Sequence, residues 1–529
     1  MRREKAIPVA LRRAEVELAD TREGRPAPVG PIGLFGGMLS YRSRLALIAA
    51  AAAVLRLALL ARQPLGVDED FTAAAVARPL GDMLGVVSRD SAPPLFYVLE
   101  WLVAQVAGGP AGLRLVPAVA GIALVPLLAA LARRVGGNAA GLWAAAFAAV
   151  LPATLVASEN GRMYSLAGAL VVASTLLVWR AIERPSLRAW VGYCLVAAAA
   201  VWTDYFAAVA LAGVFVALLA LRPGRRTTAA AGLATAIAFA AIGPWLVFAR
   251  AQFDHAGGSF WIPPLSPESI AGTLGQLFAG PVVGPGVPGR EILVALQVLA
   301  VAAGSAALVS LAGAVASPVV PRIARSAAPG SDFPKPAARR AALFLLLACG
   351  GVVALAVVSL WRPILDARYA GVMWLPLFAL AGVGLAATPR RLAVALLVAV
   401  AVPSLALGTV ITGPETASLL PEIESRAGPH DLVAADPDHY LPLLDEGGPA
   451  VLARLHVLDA VDPPWYFGTA AYPPDAVVHS VPADVAAAGG TVFYVADPGA
   501  TPPSLPPGYR RTEQRCVIAA CLTIYAPGG

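Results

Sequence analysis

Acidic residues and arginines collect at certain breaks between the apolar runs of this chain. The first break holds GVDEDF, Gly66 to Phe71, with Asp68, Glu69 and Asp70 in consecutive positions. A carboxylate can take a proton from a hydroxyl as that oxygen attacks a neighbouring centre. Next comes SRDSAPPLFY, with Arg89, Asp90, Pro93, Pro94 and Tyr97, then SENGRMYSL, with Glu159, Arg162 and Tyr164. WTDYF carries Asp204, and WRPILDARYAGVMWLP carries Arg362, Asp366, Arg368 and Tyr369. Arginine grips a phosphate through two parallel bonds and keeps its charge while doing so. Acids beside arginines suit transfer of a glycosyl or phosphoryl group with a phosphate as leaving group. The sequence has no Gly-rich Lys loop for a nucleotide phosphate; a donor anchored in the membrane needs none.

Each of these residues also has an ordinary role open to it. The three acids of GVDEDF could solvate a loop. Arg162 and Tyr164 could anchor a helix at the interface. Asp204 could cap a helix, Pro93 and Pro94 could start one, and Arg362 and Arg368 could pair with Asp366. The functional reading rests on all of them facing one side of a membrane.

The composition supplies that membrane. The 529 residues are 58% hydrophobic and 14% charged, with mean hydropathy +0.71. Ordinary soluble domains are about a quarter charged. Net charge is +6, but the basic residues sit in short breaks between apolar runs, which does not describe a nucleic-acid surface.

Runs able to span a bilayer lie near 45–61, 113–131, 137–156, 163–181, 190–221, 226–248, 291–317, 341–360, 370–387 and 391–411. The run 190–221 reads as two short helices meeting at Asp204, because a charge in mid-bilayer is costly. Placing the Arg-rich breaks inside gives about eleven crossings, N-terminus cytoplasmic and C-terminal part outside. The stretch 92–108 carries Glu100 and reads as a helix lying at the outer interface.

Four regions follow. Residues 1–40, charged and rich in Pro and Gly, read as a disordered cytoplasmic tail. Residues 41–411 form the transmembrane domain, with 62–112 as a first outer loop bearing interfacial helices. Residues 412–529 read as a small extracytoplasmic α/β domain, with strands at DLVAAD and GTVFYVAD. Cys516 and Cys521 are either a disulfide, if that part faces an oxidising compartment, or two buried thiols.

With these motifs in order, the chain resembles the polytopic membrane glycosyltransferases of the GT-C fold. It looks most like the protein O-mannosyltransferase and aminoarabinose transferase group, which uses polyprenyl-phosphate sugars. Asp68 and Glu69 match that group's acidic pair in the first outer loop. SAPPLFY matches its Pro-Pro-Leu element, with Ala92 in place of the usual basic residue. ENGRMYSL is similar to its Glu–x–Arg–Met–Tyr–Ser segment, with one extra residue. Arg368, Tyr369 and Pro376 match a late Arg–Tyr element.

The resemblance covers about 45–411 and implies an inverting transfer to an extracytoplasmic hydroxyl on an envelope glycan, lipid or protein. Asp68 would be the base. Glu69 would assist it or bind a divalent cation such as Mg or Mn. Arg362, Arg368 and Tyr369 would face the donor phosphate. Asp90, Tyr97, Glu159, Arg162, Tyr164 and Asp204 would shape the substrate pocket. The expected setting is a bacterial plasma membrane. The rivals are a transporter or flippase of lipid-linked or small polar substrates, a ligase or polymerase of lipid-linked glycan chains, and a non-catalytic assembly protein. No internal repeat of the transporter kind is evident.

Overall fold

The computed structural model describes residues 39–58, 60–255, 261–284, 287–316, 343, 346–347, 349–409 and 415–528. The expected N-terminal tail therefore lies almost wholly outside the described residues, as does part of the run near 341–360.

The membrane-type half is helical throughout. Helix α1 spans Tyr41–Ala58. Residues 62–112 hold three helices of eight residues or more, α2 Val67–Val76, α3 Leu80–Val87 and α4 Leu95–Ala104. Helix α4 is ten residues long, about 15 Å, too short to cross a bilayer. Its Glu100 is buried within the protein.

The long element α5, Leu115–Val150, has 36 residues. It is not one rod. Gly137 has φ 73° and ψ −164°, a conformation open to glycine and costly for other residues. A Cβ placed on Gly141 would lie 3.0 Å from the Ala129 carbonyl oxygen. Twelve residues of straight helix would separate those positions by about 18 Å. The chain therefore folds back at Gly137 into a helical hairpin, and Arg133 and Arg134 lie at its bend.

Helices α6 Pro152–Ser158 and α7 Tyr164–Glu183 follow. The run 190–221 divides, as its sequence implies, into α8 Leu187–Thr203 and α9 Tyr205–Leu221. Asp204 sits between them and caps α9, its Oδ1 accepting from the Phe206 N–H at 2.9 Å. Beyond these come α10 Arg225–Ala240, α11 Pro267–Ala279, α12 Arg290–Ala316, α13 Ala367–Ala387 and α14 Arg390–Thr409.

Among the described residues, six helical segments are long and apolar enough to cross a membrane; α4, α8 and α9 are shorter apolar helices. That is a polytopic membrane protein, with fewer qualifying segments than the expected eleven. The reasons are local. Helix α5 qualifies once although it doubles back, and Asp204 cuts one run into two helices of 17 residues each. The most apolar stretch of α13 is 72% buried and that of α14 only 22%. Helix α13 is thus the hub of the bundle, and α14 turns Leu392, Val398 and Leu405 outward, as a lipid-facing helix does.

The C-terminal part is a six-stranded sheet of order β3-β2-β1-β4-β6-β5. Its strands are β1 Leu432–Ala435, β2 Leu455–Leu458, β3 Val477–Val478, β4 Val492–Ala496, β5 Tyr509–Val517 and β6 Ala520–Pro527. The first four run parallel and β6 pairs antiparallel with β4. Strands β1 and β4 are buried along their whole length, which explains why both read as short continuous apolar runs. Cys516 and Cys521 face each other across the β5–β6 hairpin and are bonded, so the disulfide is the alternative that holds. Helix α15, Pro437–Glu446, follows β1 and packs on α2.

Candidate active site

GVDEDF is the first turn of α2. Gly66 is its extended N-cap, and three acids in the opening turn suit the positive end of the helix dipole. Successive side chains leave a helix about 100° apart. The three carboxylates therefore point to three different places.

Asp68 points into a cavity. Its Oδ2 accepts from Arg368 Nη1 at 2.5 Å. Arg162 lies beneath, buried, donating from Nη1 to the Asp68 carbonyl at 3.2 Å. The Arg162 guanidinium stands 5.9 Å from the ring centres of both Phe71 and Tyr97. Arg368 is in the first turn of α13, whose N-cap is Asp366, and lies 4.5 Å from the Trp261 ring centre. Tyr369 stacks on Phe206 at 4.1 Å. Asp90, Tyr164 and Asp204 line the same space. Burial raises the Asp90 carboxyl above the usual range, and the nearby Arg162 opposes that rise.

Glu69 points the other way. Its two oxygens take Arg114 Nε and Nη2, each at 2.7 Å. They also accept the Gly161 N–H at 2.6 Å and the Gly66 N–H at 3.2 Å. Arg114 spends its remaining donors on the carbonyls of Leu60, Gln63 and Pro64. This is a buried clamp joining α2, the 159–162 turn and the start of α5. The expectation that Glu69 assists catalysis or binds a cation meets a physical obstacle: both oxygens already serve fixed donors. Among the described residues, no group of three or more His, Cys, Asp or Glu is placed to hold a metal ion.

Asp70 points toward the C-terminal domain. It is buried, and its carboxyl is raised well above the usual range, first by burial and then by Asp445, Glu69 and Glu446. Asp445 and Glu446 belong to α15.

Seven of the expected residues thus meet in one cavity: Asp68, Asp90, Arg162, Tyr164, Asp204, Arg368 and Tyr369. Four do not line it. Glu69 is in the clamp. Tyr97 packs edge-on against Phe71 and Phe96 just behind the wall. Glu159 lines a separate cavity with Glu69 and Arg114, walled by Leu155, Val156 and Leu407. Arg362 is exposed outside the cavity, because the chain leaves its helix before it and re-enters α13 only at Ala367.

Sequence reasoning missed three features. Arg114 stands alone at the head of an apolar run, and an unmatched charge there demands a buried partner. Arg56, fully buried on α1, donates to Ser158 Oγ and to the Ala148 and Ala149 carbonyls at the end of α5. Trp465 and Tyr466 reach the cavity from the C-terminal domain, and no local pattern marks them.

Comparison with known proteins bears on the fold. The family profile described as dolichyl-phosphate-mannose-protein mannosyltransferase matches residues 91–248, less than half of the chain. The structure overlays on ArnT from Cupriavidus metallidurans bound to undecaprenyl phosphate with a TM-score of 0.53 and 15% identity, covering 91% of this chain and 97% of that one. The chain has a GT-C-like fold. The oligosaccharyltransferase of Archaeoglobus fulgidus overlaps more loosely, with a TM-score of 0.47 and 14% identity over 78% of this chain and 62% of that one. No curated protein sequence matches the chain.

Proposed function

We propose that this GT-C-like chain is an inverting glycosyltransferase that moves a sugar from a polyprenyl-phosphate donor to an extracytoplasmic hydroxyl. The observation that carries the reading is the cavity that joins the Asp68 carboxylate group, paired with Arg368, to two guanidinium groups, Arg162 and Arg368. The acceptor oxygen attacks the anomeric carbon and forms the new glycosidic bond. Asp68 takes the hydroxyl proton. The bond between the anomeric carbon and the phosphate oxygen breaks, and its electron pair leaves with the lipid phosphate. Arg162 and Arg368 receive the charge that builds on that phosphate.

The pair between Arg368 and Asp68 gives this cycle an order. While they are bonded, Arg368 occupies the Asp68 oxygen that a hydroxyl proton would have to reach. An arriving phosphate competes for Arg368 and releases Asp68 only once the donor is in place. Arg162, held under the Asp68 carbonyl, keeps its position throughout.

The chain would lie in a bacterial plasma membrane with about eleven crossings. The hairpin at Gly137 and the break at Asp204 would supply crossings that length alone hides. The C-terminal domain would be external, in keeping with the Cys516–Cys521 disulfide. The decisive experiment compares envelope glycans and lipid-linked sugars, by mass spectrometry, with and without the gene. A monosaccharide-lipid that accumulates in the deletion supports the reading. Unchanged lipid-linked sugars, with altered transport of a small solute instead, would overturn it in favour of a transporter.

A further inference from the structure

The C-terminal domain does more than sit on the helices. Residues Trp465–Phe467 form a single 3-10 turn after Pro464, and Trp465 and Tyr466 line the cavity that holds Asp68. The turn is tied to the first outer loop at three points. Gly468 has φ 74°, and a Cβ there would come 3.0 Å from both Leu441 and Phe71. Phe71 is one helical turn beyond Asp68. Arg78 Nη2 donates to the Ala471 carbonyl at 2.7 Å, and Arg89 Nη2 to the Ala470 carbonyl at 3.4 Å. The segment that follows the two aromatic residues is therefore fixed to the part of the chain that carries Asp68.

We infer that Trp465 and Tyr466 form a sugar-ring platform, the acceptor subsite, so that the acceptor is a glycan or glycolipid. This rests on the glycosyl-transfer reading above. In an inverting attack the acceptor oxygen approaches from the side opposite the leaving phosphate. Arg368 enters the cavity from membrane helix α13, whereas the 465–466 turn enters from the α/β domain. The Arg368 guanidinium, with Trp261 beside it, suits the phosphate, and Trp465 and Tyr466, carried by the other element, are left for the acceptor. A sugar ring presents C–H groups on its faces and hydroxyls around its rim. The negative face of an aromatic ring attracts such C–H groups, and a Tyr hydroxyl adds a polar edge for the rim; the Trp465 and Tyr466 rings stand at 80° to each other, so one ring face at a time stacks.

A peptide acceptor would need a different surface. One mode of peptide recognition adds an extended strand to an exposed sheet edge. The edge strands here, β3 and β5, contribute no residue to the cavity.

The test uses the full chain in lipid nanodiscs, as wild type, Trp465→Ala, Trp465→Phe and Tyr466→Ala. Label is followed from polyprenyl-phosphate hexoses and pentoses to a panel of methyl glycosides and to Ser/Thr peptides. Loss of one stacked ring should raise the acceptor KM about tenfold. kcat and the affinity for undecaprenyl phosphate should stay near wild type, and Trp465→Phe should restore most of the loss. An unchanged acceptor KM, a parallel fall in undecaprenyl phosphate affinity, or a preference for peptides would overturn the platform. Saturation-transfer NMR on the same methyl glycosides needs no turnover. Saturation reaching ring C–H protons in wild type and lost in Trp465→Ala supports the platform; equal saturation in both refutes it. A wild type that transfers from no polyprenyl-phosphate sugar yet shows this ring contact would sink the transferase reading alone.

Discussion

Asp68 and Arg368, 300 positions apart, meet at 2.5 Å on the wall of one cavity. Both side chains remain partly exposed, at 38% and 43%. Such a pair contributes roughly 0–1 kcal/mol to stability, so it does little to hold the two helices together. Asp68→Asn should therefore unfold near the wild-type temperature yet lose transfer by about 10²–10⁴-fold, the range for a missing general base. Arg368→Ala should fold equally well and weaken binding of undecaprenyl phosphate. Thermal unfolding in nanodiscs, run beside label transfer from a lipid donor, separates the two effects. Near-normal turnover in Asp68→Asn would remove it from catalysis.

Glu69 should behave in the opposite way. Its pair with Arg114 is buried, with side chains 5% and 2% exposed. Breaking such a pair leaves an uncompensated buried charge and costs about 3–5 kcal/mol. Glu69→Gln should lower the unfolding temperature and the yield of folded protein. Glu69→Gln combined with Arg114→Met should regain much of that stability, since no guanidinium is then stranded. If Glu69→Gln keeps full stability but loses activity with added divalent cation, the clamp is not its main role.

The hub helix gives a third expectation. A Cβ on Gly382 of α13 would fall within the backbone of Ala144 on α5. Close approach of this kind, with small residues at the contact, is how membrane helices pack. Gly382→Val should force the pair apart, at a cost of about 1–3 kcal/mol or more. Gly85 on α3 is the control, because nothing lies within 4 Å of its Cβ position. Gly85→Ala should be neutral or gain about 0.5–1 kcal/mol from helix propensity. Size-exclusion profiles and unfolding temperatures of the two variants check the contrast.

The sequence revealed the membrane-type half better than the partnerships within the site. Apolar run lengths and Arg placement mark out the membrane half, and Asp204 splits its run because a charge must reach a helix end. The two strands read from DLVAAD and GTVFYVAD lie where β1 and β4 are, since buried parallel strands need unbroken apolar runs. The three acids of GVDEDF were visible, but not their divergence. Helical rotation alone sends Asp68, Glu69 and Asp70 to three neighbours, and the neighbours come from positions 368, 114 and 445. Arg362 and Arg368 look equivalent in sequence; only the start of α13 decides that one enters the cavity. Trp465 and Tyr466 are silent in sequence because their relevance comes from docking of one domain on another.

Glu159 provides a pH test that leaves Asp68 untouched. Burial pushes its carboxyl up to about 7 from an ordinary value of 4.5, with Arg56 and Arg114 holding the rise back. Between those two values the folded chain keeps a proton that the unfolded chain has released. Stability then falls as pH rises, since the unfolded state binds fewer protons. The loss should begin above about pH 4.5 and level off above about pH 7. Glu159→Gln removes the titration and should flatten that part of the curve. Apparent unfolding temperatures at pH 5, 6, 7 and 8 would show the wild type dropping more than the variant across the window. Parallel curves for the two proteins would mean that Glu159 is ionised throughout, and that its cavity is wetter than its burial beside Leu155 and Val156 implies.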